Sequence, residues 1–203
     1  AMYILFIVVL LTKTRLLAGY SLDQMILFFL SFNLVDMLAQ LTLREVYRFR
    51  SQIVSGNFDF YLIKPVNPLF RSLFGGADLL DFITLIPLIW AIIFFINKLG
   101  LLNLFGLASY IFMILVGFSI ALSFHILVLA LAVVTTEIDN AIMLYRDIMA
   151  MGRMPIDIYR PPLREFLTFI IPVGIAMTFP AKALLGLLSP ALIIYSTLFA
   201  LIL

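Results

Sequence analysis

The chain has 203 residues, of which 65% are hydrophobic and 12% charged, and its mean hydropathy is +1.20. Soluble domains carry about a quarter charged residues, so this composition excludes a soluble globular protein and identifies an integral membrane protein. A net charge of +2, without basic clusters interleaved with aromatics, argues against nucleic acid as a partner, and the absence of cysteine excludes disulfides, thiolate metal sites and cysteine nucleophiles.

The apolar residues form blocks of roughly spanning length rather than short alternating segments. The predicted fold class is therefore all-α: one polytopic transmembrane helical bundle over 1–203, with about five to six spanning helices in the lipid bilayer and no barrel. MYILFIVVLL follows Ala1 directly and supplies about half the length of a span. LIIYSTLFALIL ends the chain on an apolar run without a charged flank. Both ends are expected to lie inside helices, as in an N- and C-terminally truncated fragment. The first block has neither the basic stretch nor the cleavage site of a signal peptide.

Residues 1 to about 17 are read as the end of one span. Leu22 to Gln40 are read as the second, with Asn33 and Asp36 preferring a protein-facing side. Residues 41–54 change character. At 100° per residue, Leu43, Val46, Tyr47, Phe49, Ile53 and Val54 share one arc, while Arg44, Glu45, Arg48 and Gln52 take the other. This predicts an amphipathic interfacial helix, with Arg50 on its apolar side and able to snorkel. SGNFDFYLIKPVNPLF follows and breaks the apolar pattern with Gly56, Asp59, Lys64, Pro65 and Pro68.

Leu79 to Ile96 are predicted as a third span with Pro87 placed to kink it. Leu104 to Val134 are predicted as a fourth, longer than a bilayer requires. Gly106 and Gly117 in that block would admit a close neighbour. Beyond Thr135, Ile138 to Met151 form a moderately apolar run interrupted by Arg146 and Asp147. The later apolar segment is broken by Pro172, Gly174 and Pro180, which fits a re-entrant hairpin at least as well as a span. Ser189 to Leu203 begin the last helix. Lys and Arg counting puts 41–77, with Arg44, Arg48, Arg50, Lys64 and Arg71, in the cytoplasm. The same rule would keep 135–164 there too, so two topologies stay open for that part.

Little in the chain carries catalytic chemistry. His125 is the single histidine, read as a packing residue, and a histidine-rich metal site is impossible. Asp78 and Asp81 sit three apart on one helical face, where acids complement the dipole at a helix start. GNFDFY and FGGAD lack the spacing and the lysine of a nucleotide loop, so no cofactor is expected.

GNFDFYLIKPVNPLFRSLF resembles the G-x-(L/F)-D-x-x-L-x-K-P-x-x-P-L segment of bacterial ABC transporter permeases of the exporter type, the six-helix, type-2 membrane domain. MGRMPIDIYRPPLREFLTFIIPVGIAMTFPAKALLG, 151–186, is similar to the same family's region before its last helix, with steps at Pro155, Ile171-Pro172 and Phe179-Pro180. The resemblance implies a multi-pass protein of the bacterial cytoplasmic (inner) membrane. Its implied partners are a second permease subunit, as homo- or heterodimer, and a cytoplasmic ATP-binding subunit dimer that performs the hydrolysis; the chain itself is then no enzyme. It further implies that 41–75 is a cytoplasmic amphipathic helix and loop touching the ATPase. On that reading Arg44, Glu45, Arg48 and Arg50 make docking contacts, while Gly56, Asp59, Lys64 and Pro65 fix the turn that transmits the push. Joint reversal of Arg44 and Arg48 to Glu is then expected to uncouple the ATPase without unfolding the membrane part. The region 155–182 is implied to be a non-cytoplasmic re-entrant hairpin, which makes 138–151 the fifth span. A secondary transporter or channel subunit is the alternative, and an intramembrane enzyme is the weakest reading.

Overall fold

The computed structural model describes residues 16–76, 78–135 and 138–203, so the expected first span falls almost wholly outside the described residues. Among the described residues the structure is helical, and its only β pairing is an isolated bridge between Leu17 and Tyr20.

Helix α1, Leu22–Leu43, begins in a capping box: the Ser21 hydroxyl accepts from the Gln24 amide and the Gln24 side chain accepts from the Ser21 amide. Two otherwise orphaned N–H groups are satisfied by this exchange. The helix continues past the predicted Gln40 because nothing in LTLREV breaks it. It tightens into a 3-10 turn at Arg44–Arg48 and runs on as α2, Phe49–Val54. Gly56, at φ +73°, stops it in the left-handed region that glycine enters without a Cβ penalty. Two short helices follow, α3 (Asn57–Leu62) and α4 (Pro68–Phe74). The Asn67 side chain caps α4 and Pro68 opens it, as the missing N–H of proline allows.

Helix α5, Leu79–Lys98, runs unbroken through Pro87. It is apolar nearly all round, and Ile83, Ile86, Trp90 and Ile93 lie exposed along it, as expected of a surface facing lipid. It packs antiparallel to α1, and ion pairs join the two helices at both ends. Lys98 Nζ meets Asp23 Oδ1 at 2.7 Å at one end, and Arg44 reaches Asp78 and Asp81 at the other.

Helix α6, Leu104–Thr135, is the central element. Its 32 residues measure about 48 Å, well beyond the hydrocarbon thickness of about 30 Å. It packs against α1 and α7 (Ile138–Ala150), and against the later helices α9 (Gly174–Leu184) and α10 (Pro190–Ile202). A buried hydrogen bond of 3.1 Å between Ser31 and Tyr110 ties it to α1.

Helix α8, Leu163–Ile170, and α9 form a pair bent by 83°. Each carries a π-helical stretch, Phe166–Ile170 and Gly174–Thr178, as broken apolar helices often do. Among the described residues three helices are long and apolar enough to cross a membrane, or four if the bent pair counts as one. The protein is thus a polytopic helical membrane bundle, as its composition predicts.

Candidate functional site

Three features interrupt the bundle, and the first is the belt from Arg44 to Asp81. Arg44 Nη1 donates to Asp78 Oδ2 at 2.7 Å and to Asp81 Oδ2 at 2.9 Å. Asp78 also caps α5, accepting from the Leu80 amide at 3.0 Å. The acids at the helix start therefore complement its dipole, as their position predicts, and also anchor a guanidinium 34 residues earlier in the chain.

Glu45, assigned to the polar arc, is only 5% exposed. The reason is local: the 3-10 turn advances about 120° per residue instead of 100°, which rotates this position inward. The buried carboxylate accepts from Gln52 Nε2 at 2.5 Å and faces Arg71 Nη1 at 3.8 Å. Gly76 explains the FGGAD sequence, since a Cβ there would lie 2.6 Å from Glu45 Oε2 and 3.0 Å from the Glu45 amide nitrogen. Arg44 and Glu45 are thus engaged inside the chain, and reversal of Arg44 would set a third carboxylate beside Asp78 and Asp81. The expectation that reversing Arg44 with Arg48 leaves the fold intact changes accordingly.

The rest of the belt faces outward. Arg48, Arg50, Asp59, Lys64 and Pro65 are exposed, and Gly56 makes the turn between α2 and α3. Leu43, Val46 and Phe49 of the predicted apolar arc are buried, whereas Val54 stands 73% exposed because α2 ends beyond the edge of the bundle. Phe49 packs edge-on to Phe58 at 4.9 Å and holds α3 back onto α2. The Tyr61 ring carries Lys64 Nζ at 5.5 Å and the Arg71 guanidinium at 5.2 Å, so the Lys-Pro turn is tied to α4 by cation–π contacts. Phe60, Ile63 and Phe70 are exposed alongside these charges.

The second feature is the segment from Pro155 to Leu184. Asp157 Oδ1 accepts from Lys182 Nζ at 2.8 Å, and its other oxygen accepts from the Tyr20 hydroxyl at 3.0 Å. Burial first, and the Asp157 charge second, push the Tyr20 phenol well above its usual pKa, so it remains a donor at neutral pH. The Ile156 amide donates to Thr178 Oγ1 at 3.3 Å. The chain therefore leaves near residue 157 and returns beside it near residue 182. Pro155 ends the 3-10 turn Met151–Arg153, Pro172 lies in the bend, and Pro180 stands in the first turn of the α-helical end of α9; all three are buried.

Helix α6 serves as a ruler for depth. A Cβ on Gly117 would lie 2.5 Å from the Ala176 carbonyl oxygen, and one on Gly106 3.5 Å from that of Leu184. Helix α9 thus lies backbone to backbone along the Leu104 half of α6 and antiparallel to it. Helix α7 covers the other half, where Tyr145 meets His125 edge-on at 4.8 Å. His125 is buried, its Nδ1 donating to the Ala121 carbonyl at 2.7 Å, which is the geometry of a packing residue.

The third feature is a polar cleft between α1 and α7 that the sequence did not reveal. Asp36 and Arg146 line it, 110 positions apart in the chain, together with Arg153. The signal was there in part, since Asp36 and Arg146 both interrupt apolar helices, but their convergence depends on tertiary packing.

No curated protein and no solved structure matches the chain. Residues 1–203, the full length, match the family described as ABC-2 family transporter protein. Together with the apolar helices of the bundle, that match over the whole length makes the chain a membrane-spanning ABC transporter permease of the ABC-2 family.

Proposed function

We propose that this permease is one half of an ATP-driven exporter in the bacterial cytoplasmic membrane, working beside a second permease and powered by a separate dimer of ATP-binding subunits. The belt from Arg44 to Asp81 is its coupling element. The observation that carries this reading is the bridging use of Arg44, whose Nη1 fastens the end of α1 to the start of α5 through both Asp78 and Asp81. A load applied to α2, α3 or α4 reaches two long helices at once through that guanidinium. Arg48, Lys64 and Asp59, with the exposed Val54, Ile63 and Phe70, offer the mixed apolar and charged surface that a partner protein requires. Arg44 and Glu45 act inside the element as fasteners, while Arg48 and Arg50 are its outward docking charges.

On this reading the belt lies on the cytoplasmic side, in agreement with its excess of Lys and Arg. The segment 155–182 is then a re-entrant hairpin from the opposite side, closed at its mouth by Asp157 and Lys182, and 138–151 is the fifth span. The export direction follows the resemblance of the two motifs to exporter permeases.

The test is purification of the full-length protein in mild detergent. An ATPase and a permease partner are expected to accompany it, and Arg48→Glu with Lys64→Glu should release the ATPase while the permease stays folded. Recovery of the protein alone, or an ATPase retained undiminished by the double variant, would sink the proposal.

A further inference from the structure

The cleft between α1 and α7 has a volume of about 320 Å³ and is lined by Phe32, Asp36, Arg146, Asp147, Met149 and Arg153. A second lobe of about 200 Å³ shares Arg146 and extends toward the belt past Gln40, Tyr47 and Arg48. Asp36 lies seven residues before the end of α1, about 10 Å inside that end, and Arg153 sits over the Phe32 ring at 6.0 Å, about one turn deeper. Charged groups at such depth are costly, and where they occur they mark pathways and binding sites. The first of these volumes by itself lies within the range of small-molecule pockets.

The main lobe carries two acids, Asp36 and Asp147, against two arginines, Arg146 and Arg153, and Arg48 of the second lobe tips the balance toward an anion. Asp36 accepts from Gln40 Nε2 at 2.8 Å and lines the same cleft as Arg146 and Arg153. Arg146 and Asp147 are both exposed on the rim, and Arg48 adds positive charge at the belt-side mouth. Planar guanidiniums on the walls match the oxygens of a phosphate or carboxylate in a way that a neutral headgroup cannot use. Met143 and Leu144 on the flank of α7 are more than half exposed, so an apolar chain joined to that headgroup finds apolar surface beside the cleft.

We propose that this cleft binds the anionic headgroup, a phosphate or a carboxylate, of the transported molecule, with Arg146 and Arg153 as its hydrogen-bonding partners and Asp36 as the counter-ion it displaces. The proposal rests on the permease reading for the word transported, whereas anion binding itself can be measured on the permease without any ATPase.

The probe is isotope-labelled dodecyl phosphate, bound at equilibrium to the full-length protein in uncharged dodecyl maltoside micelles. Saturable binding is expected, weakened about tenfold or more in Arg146→Gln/Arg153→Gln, since the charge-assisted hydrogen bonds of both guanidiniums are lost. Arg160→Gln, which is exposed and outside the cleft, should bind as the unaltered protein does. Asp36→Asn removes the competing carboxylate and should tighten binding several-fold, an effect that misfolding cannot produce. Competition by millimolar inorganic phosphate identifies a free anion as sufficient, and its failure to compete identifies an amphiphile; both fit the assigned chemistry. Undiminished binding in the arginine double variant, or weaker binding in Asp36→Asn, overturns the proposal. Because no ATPase takes part, its failure is distinguishable from failure of the coupling reading, which rests on copurification.

Discussion

The belt at 44–81 and the segment at 155–184 both break the run of long helices, yet they are built in opposite ways. The belt is held at its root by charges, Arg44 with Asp78 and Asp81 and Glu45 with Gln52 and Arg71, and its outer helices are exposed. The proline-broken segment is held by packing. From Pro172 to Ala181 every residue is buried, and its backbone meets α6 so closely that only glycine fits at Gly117. The belt's outer helices are exposed and take little stability from apolar burial, so ion pairs secure its root. A broken helix at membrane depth cannot leave backbone groups to lipid, so protein must enclose it. Stability should therefore be concentrated in the proline-broken segment and, on the proposed reading, coupling in the belt.

The strongest way to break this contrast is Gly117→Val. Its Cβ would press on the Ala176 carbonyl, a backbone atom that cannot rotate away, and overpacking of this kind costs about 3 kcal/mol. A marked drop in thermal stability in detergent is expected, and an unchanged melting temperature would mean that α9 does not lie against α6.

Next in size is Asp157→Asn. The side chains of Asp157 and Lys182 are 24% and 15% exposed, so Lys182 would be left largely without its counter-charge, at about 2 kcal/mol. The Asp157→Asn/Lys182→Met double variant should recover part of that loss, and a double-mutant cycle measures the coupling.

Arg44→Gln should cost only about 1 kcal/mol, because the pair is roughly a third exposed. On the proposed coupling reading, ATP hydrolysis by the assembled transporter should fall much further than the stability of the variant does, and a proportionate fall in both would erase the distinction between the two regions.

The smallest effect belongs to Gly56→Ala. Nothing lies within 4 Å of the new Cβ, so the positive φ alone is strained, at about 1 kcal/mol. Copurification of the ATPase is the sharper readout there, since α3 would be redirected.

Much of the fold was legible in order and type. Leu79 to Ile96 and Leu104 to Val134 are visible as apolar blocks because a lipid-exposed helix needs nothing but apolar residues and satisfies its own backbone. The observed ends, Lys98 and Thr135, differ by two residues or fewer. At the α-helical period Leu43, Val46 and Phe49 of 41–54 fall on the face that is buried, whereas Glu45 falls on the wrong one, because a 3-10 turn does not keep that period. The acids Asp78 and Asp81 were recognisable as the start of a helix. That they clasp Arg44 was not, since residues 34 and 37 positions apart meet only when α1 and α5 lie antiparallel.

The amino-acid sequence by itself determined that this protein lives in a membrane, that its spans are helices, and where prolines and charges break them, because burial in lipid and loss of a backbone N–H act residue by residue. Only the tertiary structure decided what those breaks face. Asp36, Arg146 and Arg153 share one cleft, Asp157 closes on Lys182, and Glu45 is buried while Arg48 is not, because each of these depends on two distant helices packed in one register.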